Sequence, residues 1–365
     1  MRYALIIAGG SGTRLWPMST ASLPKQLIPF IDGRSLLQLT LDRLEGLLPA
    51  EHIFICAGTA HRDVMLNNLS AMTADRFIGE PMGRDTLNAV GLGVAVLARH
   101  DPSAVVAVFT ADHIIEPVDR FRQIVDQGFA LAEQSPDTLV TFGITPTHAA
   151  TGYGYLQLGE PMGDTDARQV DHYKEKPDLA TAQAYLDAGP EKYLWNSGMF
   201  VWRAATLLDC IRRYEPANHA GLMRIAHGWD TDRRQAVLAE VYPNLKKISV
   251  DYAVMEPASK DPHVIVAAIP MPLSWLDVGS WPSFALTRPK DDQGNAVAGC
   301  RSMLLETKNA LLVSDDPNHL IAAIGCDDLI VVHTARATLV CRADQAEKIK
   351  AMHAMVGEKF GEELL

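Results

Sequence analysis

Short apolar runs with no polar alternation recur through the first 150 residues, and longer amphipathic stretches separate them. A strand with one wet face alternates polar and apolar residues, so a strand that does not alternate must be covered on both faces. The runs are Tyr3–Ile7, His52–Cys56, Arg76–Ile78, Val105–Thr110 and Thr138–Ile144. Between them the spacing predicts helices over Ser35–Leu47, His61–Leu69, Asp85–Arg99 and Phe121–Glu133. The expected fold is α/β, a doubly wound and mostly parallel Rossmann-like sheet with helices on both faces. Such sheets bind ligands beyond the carboxyl ends of their strands, so the polar residues that follow each run are the ones to inspect.

Residues 150–288 are more mixed. Extended pieces are expected at Gly154–Leu158, Met199–Trp202 and Val264–Ile269, with helices at Asp178–Ala188, Ala204–Arg213 and Val250–Glu256. The segment Arg288–Asn295 is charged, turn-rich and poor in apolar residues, which places a domain boundary there, 1–288 against 289–365. Short β-type runs follow at Ala310–Val313, Leu320–Ile324, Leu329–Val332 and Thr338–Cys341. A last amphipathic helix, Ala343–Val356, puts Ile349, Met352 and Met355 on one face. The tail therefore reads as a small β-rich unit capped by a helix.

Bulk properties narrow the partners. Asp and Glu number 44 against 33 Lys and Arg, a net charge of −11 that disfavours general nucleic-acid binding. A small phosphate ligand stays open wherever basic residues converge. The five cysteines, at 56, 210, 300, 326 and 341, lack zinc-site spacing, and their odd number fits reduced thiols. The N-terminal apolar run is stopped by Gly9 and Gly10, too early for a signal segment or a membrane span. The expectation is a cytoplasmic protein with no membrane partner.

The first run feeds straight into Ala8-Gly9-Gly10-Ser11-Gly12-Thr13-Arg14. Glycines remove side chains, so backbone N–H groups can approach an oxyanion, and Arg14 adds a delocalised charge suited to phosphate. The spacing is neither a Walker A loop nor a dinucleotide fingerprint, and by itself it leaves a plain tight turn open. Lys25 follows in Pro24-Lys25-Gln26, among apolar neighbours, where an ammonium needs an anionic partner.

Together, AGGSGTRLWPMS and PKQ resemble the signature of the sugar-1-phosphate nucleotidyltransferases, and GTRLWPMS with PKQ is similar to their mannose-1-phosphate guanylyltransferase branch. The resemblance extends over about residues 1–290. It implies that the loop Ala8, Gly9, Gly10, Gly12, Thr13 and Arg14, with Lys25, wraps the phosphates of GTP, that mannose 1-phosphate is the second substrate, and that Mg²⁺ or another divalent cation assists. A left-handed β-helix-like tail fits the last 70 or so residues, which are too short and too poor in clustered histidines for a further cupin-type isomerase domain. A homodimer stays open.

Other motifs were read beside it. Glu80, fixed by Pro81 at a strand end, can accept from the N1–H and N2–H₂ edge of guanine, whereas surface pairing with Arg84 or helix capping by Asp85 or Thr86 would explain the segment without a ligand. In the guanylyl branch a segment of this form, here with Glu80, Arg84 and Thr86, lies near the base. Asp112 ends the fourth run and suits a hard cation, and Asp277 supplies a second carboxylate in Trp275-Leu276-Asp277-Val278-Gly279; the family places both at the metal. Glu175 and Lys176, adjacent in extended chain, should point to opposite faces. The resemblance puts Gly154, Glu175 and Asn196 against the sugar and Lys176 on its phosphate. Asp251, Tyr252 and Glu256 also match the branch, without an evident role.

The implied chemistry is in-line displacement at the α-phosphorus with no protein nucleophile, with Arg14, Lys25 and Lys176 as the catalytic cations. Two alternatives remain: another sugar phosphate, such as a heptose, or a base other than guanine; and a regulatory subunit that binds a sugar nucleotide without turnover. The glycine spacing disfavours a dinucleotide-dependent oxidoreductase.

Overall fold

Residues Ala4, Leu5 and Ile6 have no exposed surface, and the same holds for Val106 and Ala107, so the first and fourth apolar runs are buried on both faces as their lack of alternation requires. The computed structural model describes residues 1–365 apart from Ser11, Asp32 and Asp164; Ser11 of the glycine-rich loop thus lies outside the described residues. The chain forms two compact units. One comprises Met1–Gly9, Thr40–Ala111 and Ile115–Trp275, the other Gly10–Leu39, Asp112–Ile114 and Leu276–Leu365. This division differs from the boundary expected at 288/289, because two early segments gather their contacts with the C-terminal residues and not with the sheet that flanks them in sequence.

The first unit holds a nine-stranded sheet. Its strands are β1 (Arg2–Ile7), β2 (Ile53–Gly58), β3 (Phe77–Glu80), β4 (Val105–Thr110), β5 (Thr138–Ile144), β6 (Tyr155–Pro161), β7 (Arg168–Lys174), β8 (Tyr193–Arg203) and β9 (Ile265–Pro270). Their spatial order is β3-β2-β1-β4-β8-β5-β9-β7-β6. Strands β3, β2, β1 and β4 run parallel, as do β5 and β9. Strand β8 inserts antiparallel between β4 and β5, and β7 and β6 continue antiparallel from β9. The sheet is the expected Rossmann-like α/β core, with residues 155–203 adding the antiparallel strands.

Helix bounds differ modestly from expectation: Leu36–Leu44, Arg62–Asn68, Asp85–His100 and Val118–Gln134. Helices Pro216–His227, which opens on a proline, and Arg234–Val241 add to those expected from the sequence. Helix Asp85–His100 is buried from Leu87 through Leu97, and a Cβ at Gly93 would lie 2.7 Å from Leu5 Cδ1, so only glycine lets helix and β1 approach so closely. The helix expected at Val250–Glu256 is instead a π-type turn over Asp251–Met255 followed by a short α segment, Glu256–Ala258. Such wide turns are rare and concentrate at functional sites.

In the second unit, β10 (Ala296–Ala298), β11 (Arg301–Leu305), β12 (Leu311–Ser314), β13 (Leu320–Ile324) and β14 (Leu329–His333) stack in parallel rungs, β10-β12-β14 on one face and β11-β13 on another. Strand β15 (Thr338–Arg342) closes the first face antiparallel to β14. This is a short β-helix. Its core includes Leu311, Val313, Ile330 and Val332, continuous with Leu15, Trp16, Phe30, Trp281 and Phe284. The terminal helix begins as a 3₁₀ segment at Ala343–Lys348 and turns α over Ile349–Phe360. Of its expected apolar face only Ile349 is buried; Met352 and Met355 are exposed, and the helix packs against the Thr13–Leu15 turn and the C-terminal segment Glu362–Leu364. Among the described residues no helix is long and apolar enough to cross a membrane.

Candidate active site

The phosphate-loop residues divide at the unit boundary. Ala8 and Gly9 belong to the first unit. The Ala8 N–H is spent in the sheet, donating to the Cys56 carbonyl at 2.9 Å, so it is not available to an anion. Gly9 sits beside Glu80, whose Oε2 would lie 3.9 Å from a Cβ at that position.

From Gly10 the chain enters the second unit. Gly10 and Gly12 have φ of +100° and +62°, a region that favours glycine. A Cβ on Gly12 would also stand 2.9 Å from Lys25 Cβ. Thr13–Leu15 form one 3₁₀ turn, which carries Arg14. Lys25 is 9% exposed, and its Nζ donates to Asp112 Oδ2 at 2.6 Å. The anionic partner that a lysine among apolar neighbours requires is thus the expected metal-binding aspartate. Burial pulls the Lys25 pKa down, but Asp112, by charge and by hydrogen bond, and then Asp277 carry it above its ordinary value. Asp277 is pushed up to about 6, first by burial and then by the Asp112 charge, with Lys25 and Arg14 opposing. Arg14 Nη2 and Asp277 Oδ1 lie 3.2 and 3.4 Å from a Cβ built on Gly279, so the glycine is where guanidinium and carboxylate meet the backbone. Arg14 also reaches Glu347 Oε1 at 3.1 Å, an exposed pair of small energetic consequence.

One ligand atom each from Asp112, His113 and Asp277 lies within 4.8 Å of the others. Two carboxylates whose mutual repulsion already raises one pKa, with an imidazole beside them, suit a hard divalent cation. His113 was missed from sequence. It is buried, and its Nε2 lies 3.8 Å from Asp112 Oδ1; adjacency to a strand-end aspartate was the available signal.

The remaining candidates lie in the first unit. Glu80 ends β3, is buried, and accepts a short hydrogen bond from the Tyr242 hydroxyl. Burial raises its pKa and the Tyr242 bond holds it back. The surface pairing with Arg84 does not occur: Arg84 donates instead to the Pro243 carbonyl. Nor does Thr86 cap its helix, since Thr86 Oγ1 accepts from Val250 N at 3.0 Å; Asp85, at φ +67°, takes the Thr86 N–H at 2.8 Å. Segment 242–250 is thereby fastened along the start of helix Asp85–His100.

Gly154, Glu175, Lys176 and Asn196 do come together. A Cβ on Gly154 would stand 2.6 Å from Glu175 Oε2 and 2.7 Å from the Tyr173 hydroxyl, so glycine is required there. The Gly154 carbonyl accepts from Asn196 N at 2.8 Å. Glu175 and Lys176 do not point to opposite faces: Lys176 has φ +43°, which breaks the extended alternation, and its Nζ bonds Glu175 Oε1 at 2.5 Å. Burial pulls the Lys176 pKa down, and Glu175 more than offsets it. Asp178, expected as the first residue of the helix, instead caps Leu179–Ala188 by accepting from Thr181 N at 2.8 Å. Two residues with no assigned role, Tyr173 and Asp251, sit at the centre of this cluster: Asp251 Oδ1 accepts from Tyr173 Oη at 2.7 Å and from Asn196 Nδ2 at 3.0 Å.

Residues 3–294 match the nucleotidyl transferase family, and residues 300–354 match the mannose-phosphate isomerase/GMP-like β-helix domain. The chain belongs to the nucleotidyl transferase family. It is 35% identical over 358 residues to the xanthan biosynthesis protein XanB of Xanthomonas campestris, covering 96% of this chain and 72% of that one. It is 34% identical over 358 residues to the mannose-1-phosphate guanylyltransferase of Escherichia coli K12, covering 95% and 72%. Among solved structures it is similar to a mannose-1-phosphate geranyltransferase from Thermus thermophilus, with a TM-score of 0.85, 32% identity and coverage of 97% and 99%.

Proposed function

We propose that the chain is a mannose-1-phosphate guanylyltransferase, joining GMP from GTP to mannose 1-phosphate and releasing pyrophosphate. The observation that carries the reading is the cluster of Lys25, Arg14, Asp112 and Asp277, cations and carboxylates held together. Phosphoryl transfer between two polyanions needs positioning and charge neutralisation more than covalent help.

An oxygen of the sugar phosphate attacks the α-phosphorus of GTP, the bond to the bridging oxygen breaks, and pyrophosphate leaves opposite. Gly10, Gly12 and Thr13 present backbone and hydroxyl donors to the phosphates, with Gly9 at the base side. Arg14 and Lys25 take charge building on pyrophosphate, and Lys176 holds the incoming sugar phosphate. A divalent cation, Mg²⁺ by the hard-oxygen preference, would be held by Asp112 and Asp277 with His113 beside them, and when bound it supplies Lewis-acid neutralisation of the phosphate oxygens. Glu80 reads the N1–H and N2–H₂ edge of guanine. Arg84 and Thr86 serve the nucleotide through the segment they fasten. Gly154 and Glu175 face the sugar, and Asn196 belongs to the same cluster. Residues 1–288 supply every group named here, with 289–365 as the β-helix tail.

The deciding experiment is pyrophosphate release measured with GTP, ATP, UTP and dTTP against a panel of hexose and heptose 1-phosphates. GTP with mannose 1-phosphate should turn over fastest; release with no pair at all would leave a binding protein only.

A further inference from the structure

Asn196 looked from sequence like the amide that would exchange hydrogen bonds with sugar hydroxyls. Its amide is already engaged. Nδ2 donates to Tyr173 Oη at 2.6 Å and to Asp251 Oδ1 at 3.0 Å, and Oδ1 accepts from Thr141 Oγ1 at 2.7 Å. An amide nitrogen carries two hydrogens, so both are spent within the protein. Thr141, itself fully buried, also lies 3.0 Å from the Met199 carbonyl, which fixes it and through it the amide. The Tyr173 hydroxyl is equally committed. It donates to Asp251 Oδ1 and lies 3.3 Å from Glu175 Oε2, with the Gly154 backbone closing the side where a methyl group would collide.

The phenol and the amide converge on one oxygen of one carboxylate. Asp251 receives both on Oδ1, which leaves Oδ2 as the oxygen able to take a ligand hydroxyl. The residue lies at the first position of the π-type turn Asp251–Met255. A half-buried carboxylate beside a second carboxylate is unfavourable, and the protein holds it there with a phenol, an amide and the nearby Lys176 charge instead of discarding it.

We propose that Asp251 is a sugar-hydroxyl acceptor that sets specificity for the sugar phosphate, and that Asn196 and Tyr173 are positioning residues that aim it. This rests on the reading of the Gly154–Glu175–Asn196 cluster as the sugar side of a mannose-1-phosphate guanylyltransferase. Asp251 and Glu175 then form a pair of acceptors on one side of the ring, with Lys176 on the phosphate. A carboxylate accepts from a hydroxyl more strongly than an amide oxygen does, so removing its charge should register on the sugar and not on the nucleotide.

The test is steady-state kinetics of Asp251→Asn and wild type with GTP and with mannose 1-phosphate or its 2-, 3-, 4- and 6-deoxy analogues. Asp251→Asn keeps an oxygen for Tyr173 and Asn196, so the fold is retained. The expected result is a KM for mannose 1-phosphate raised by about tenfold or more, with the KM for GTP unchanged. One deoxy analogue, strongly penalised in wild type, should lose its penalty in the variant. A residue that only braced the fold would show neither change and would lower Tm; Asp251→Asn should leave Tm equal or higher, since it removes a buried charge. An unchanged sugar KM with an unchanged analogue pattern overturns the proposal. Should Asp251→Asn fail to fold, Tyr173→Phe, which frees one bond on Oδ1, must raise the sugar KM severalfold without moving that for GTP; no effect there overturns it equally. Failure of wild type to use any sugar phosphate would instead refute the function proposed above.

Discussion

Asp277 and Asp251 each have a pKa of about 6, and in each burial is the first cause and a neighbouring carboxylate the second. What surrounds them differs. Around Asp277 the compensation is ionic: Lys25 on Asp112, and Arg14 over Gly279. Around Asp251 it comes first from the hydrogen bond of a neutral group, the Tyr173 phenol, and then from the Lys176 charge, with the Asn196 amide also donating to the carboxylate. A cluster balanced by cations can exchange those pairings for a metal ion and a polyphosphate, which suits charge transfer between ligands. A cluster fixed by a phenol and an amide keeps its geometry whatever the charge of the ligand, which suits reading hydroxyl positions. One region is built for neutralisation, the other for shape.

The sharpest way to break this contrast is to remove the cation. Lys25→Ala should lower kcat by about 10²–10³-fold while circular dichroism stays native, by analogy with the loss of one preorganised charge-stabilising group. Normal turnover in that variant would take Lys25 out of the chemistry.

Metal removal is the next largest effect. Chelation with EDTA should abolish pyrophosphate release and added Mg²⁺ restore it, whereas Asp277→Asn should raise the Mg²⁺ concentration needed for half-maximal rate by about tenfold or more, on the scale of a lost charged ligand. An unaltered Mg²⁺ requirement in Asp277→Asn would show the cation is held elsewhere.

The sugar side should respond to pH instead. Asp251 faces Glu175, Lys176 and Tyr173, and its carboxylate is the accepting form. Its raised pKa of about 6 means that protonation sets in as pH falls through that value. The KM for mannose 1-phosphate should therefore rise below about pH 6, approaching about tenfold per unit, and be flat above about pH 7. The same profile in Asp251→Asn should lack this rise; if it does not, another group is responsible.

The smallest effect belongs to the base side. Tyr242→Phe removes the hydroxyl that holds the Glu80 pKa down and that fixes its carboxylate, so guanine meets a less well placed and weaker acceptor. The expected loss is about five- to tenfold in kcat/KM for GTP relative to ATP, the range of one hydrogen bond of about 1 kcal/mol. An unchanged ratio would separate Tyr242 from base selection.

Much of this was legible before any coordinates. The unalternating runs at Tyr3–Ile7 and Val105–Thr110 could only be doubly covered strands, and they are. The glycine-rich turn after the first run was equally plain, although the positive φ at Gly10 and Gly12 was not. Less legible were strands such as Arg168–Lys174, whose two apolar residues, Val170 and Tyr173, stand three apart and so break the period of two, and helix Pro216–His227, whose apolar positions are too few for its period to stand out. The opposite-face reading of Glu175 and Lys176 failed because it assumed extended backbone at a residue that turns left-handed. Tyr173 and Tyr242 carry no local signal of function, and His113 only its place beside a strand-end aspartate, since a lone tyrosine or histidine is ordinarily core. Nothing local shows that such a tyrosine meets a carboxylate 78 or 162 residues away.

By itself the sequence determined the local chemistry: where strands must be buried, where glycine alone can sit, and which carboxylates and cations are available to a phosphate. Those follow from steric and solvation rules that act within a few residues. Only the tertiary structure decided the pairings, Lys25 with Asp112, Glu80 with Tyr242, and Asn196 with Asp251 in place of a sugar hydroxyl. Each joins residues 55 to 162 positions apart, and the partner of a buried polar group is set by whichever donor the packed chain delivers within about 3 Å of it.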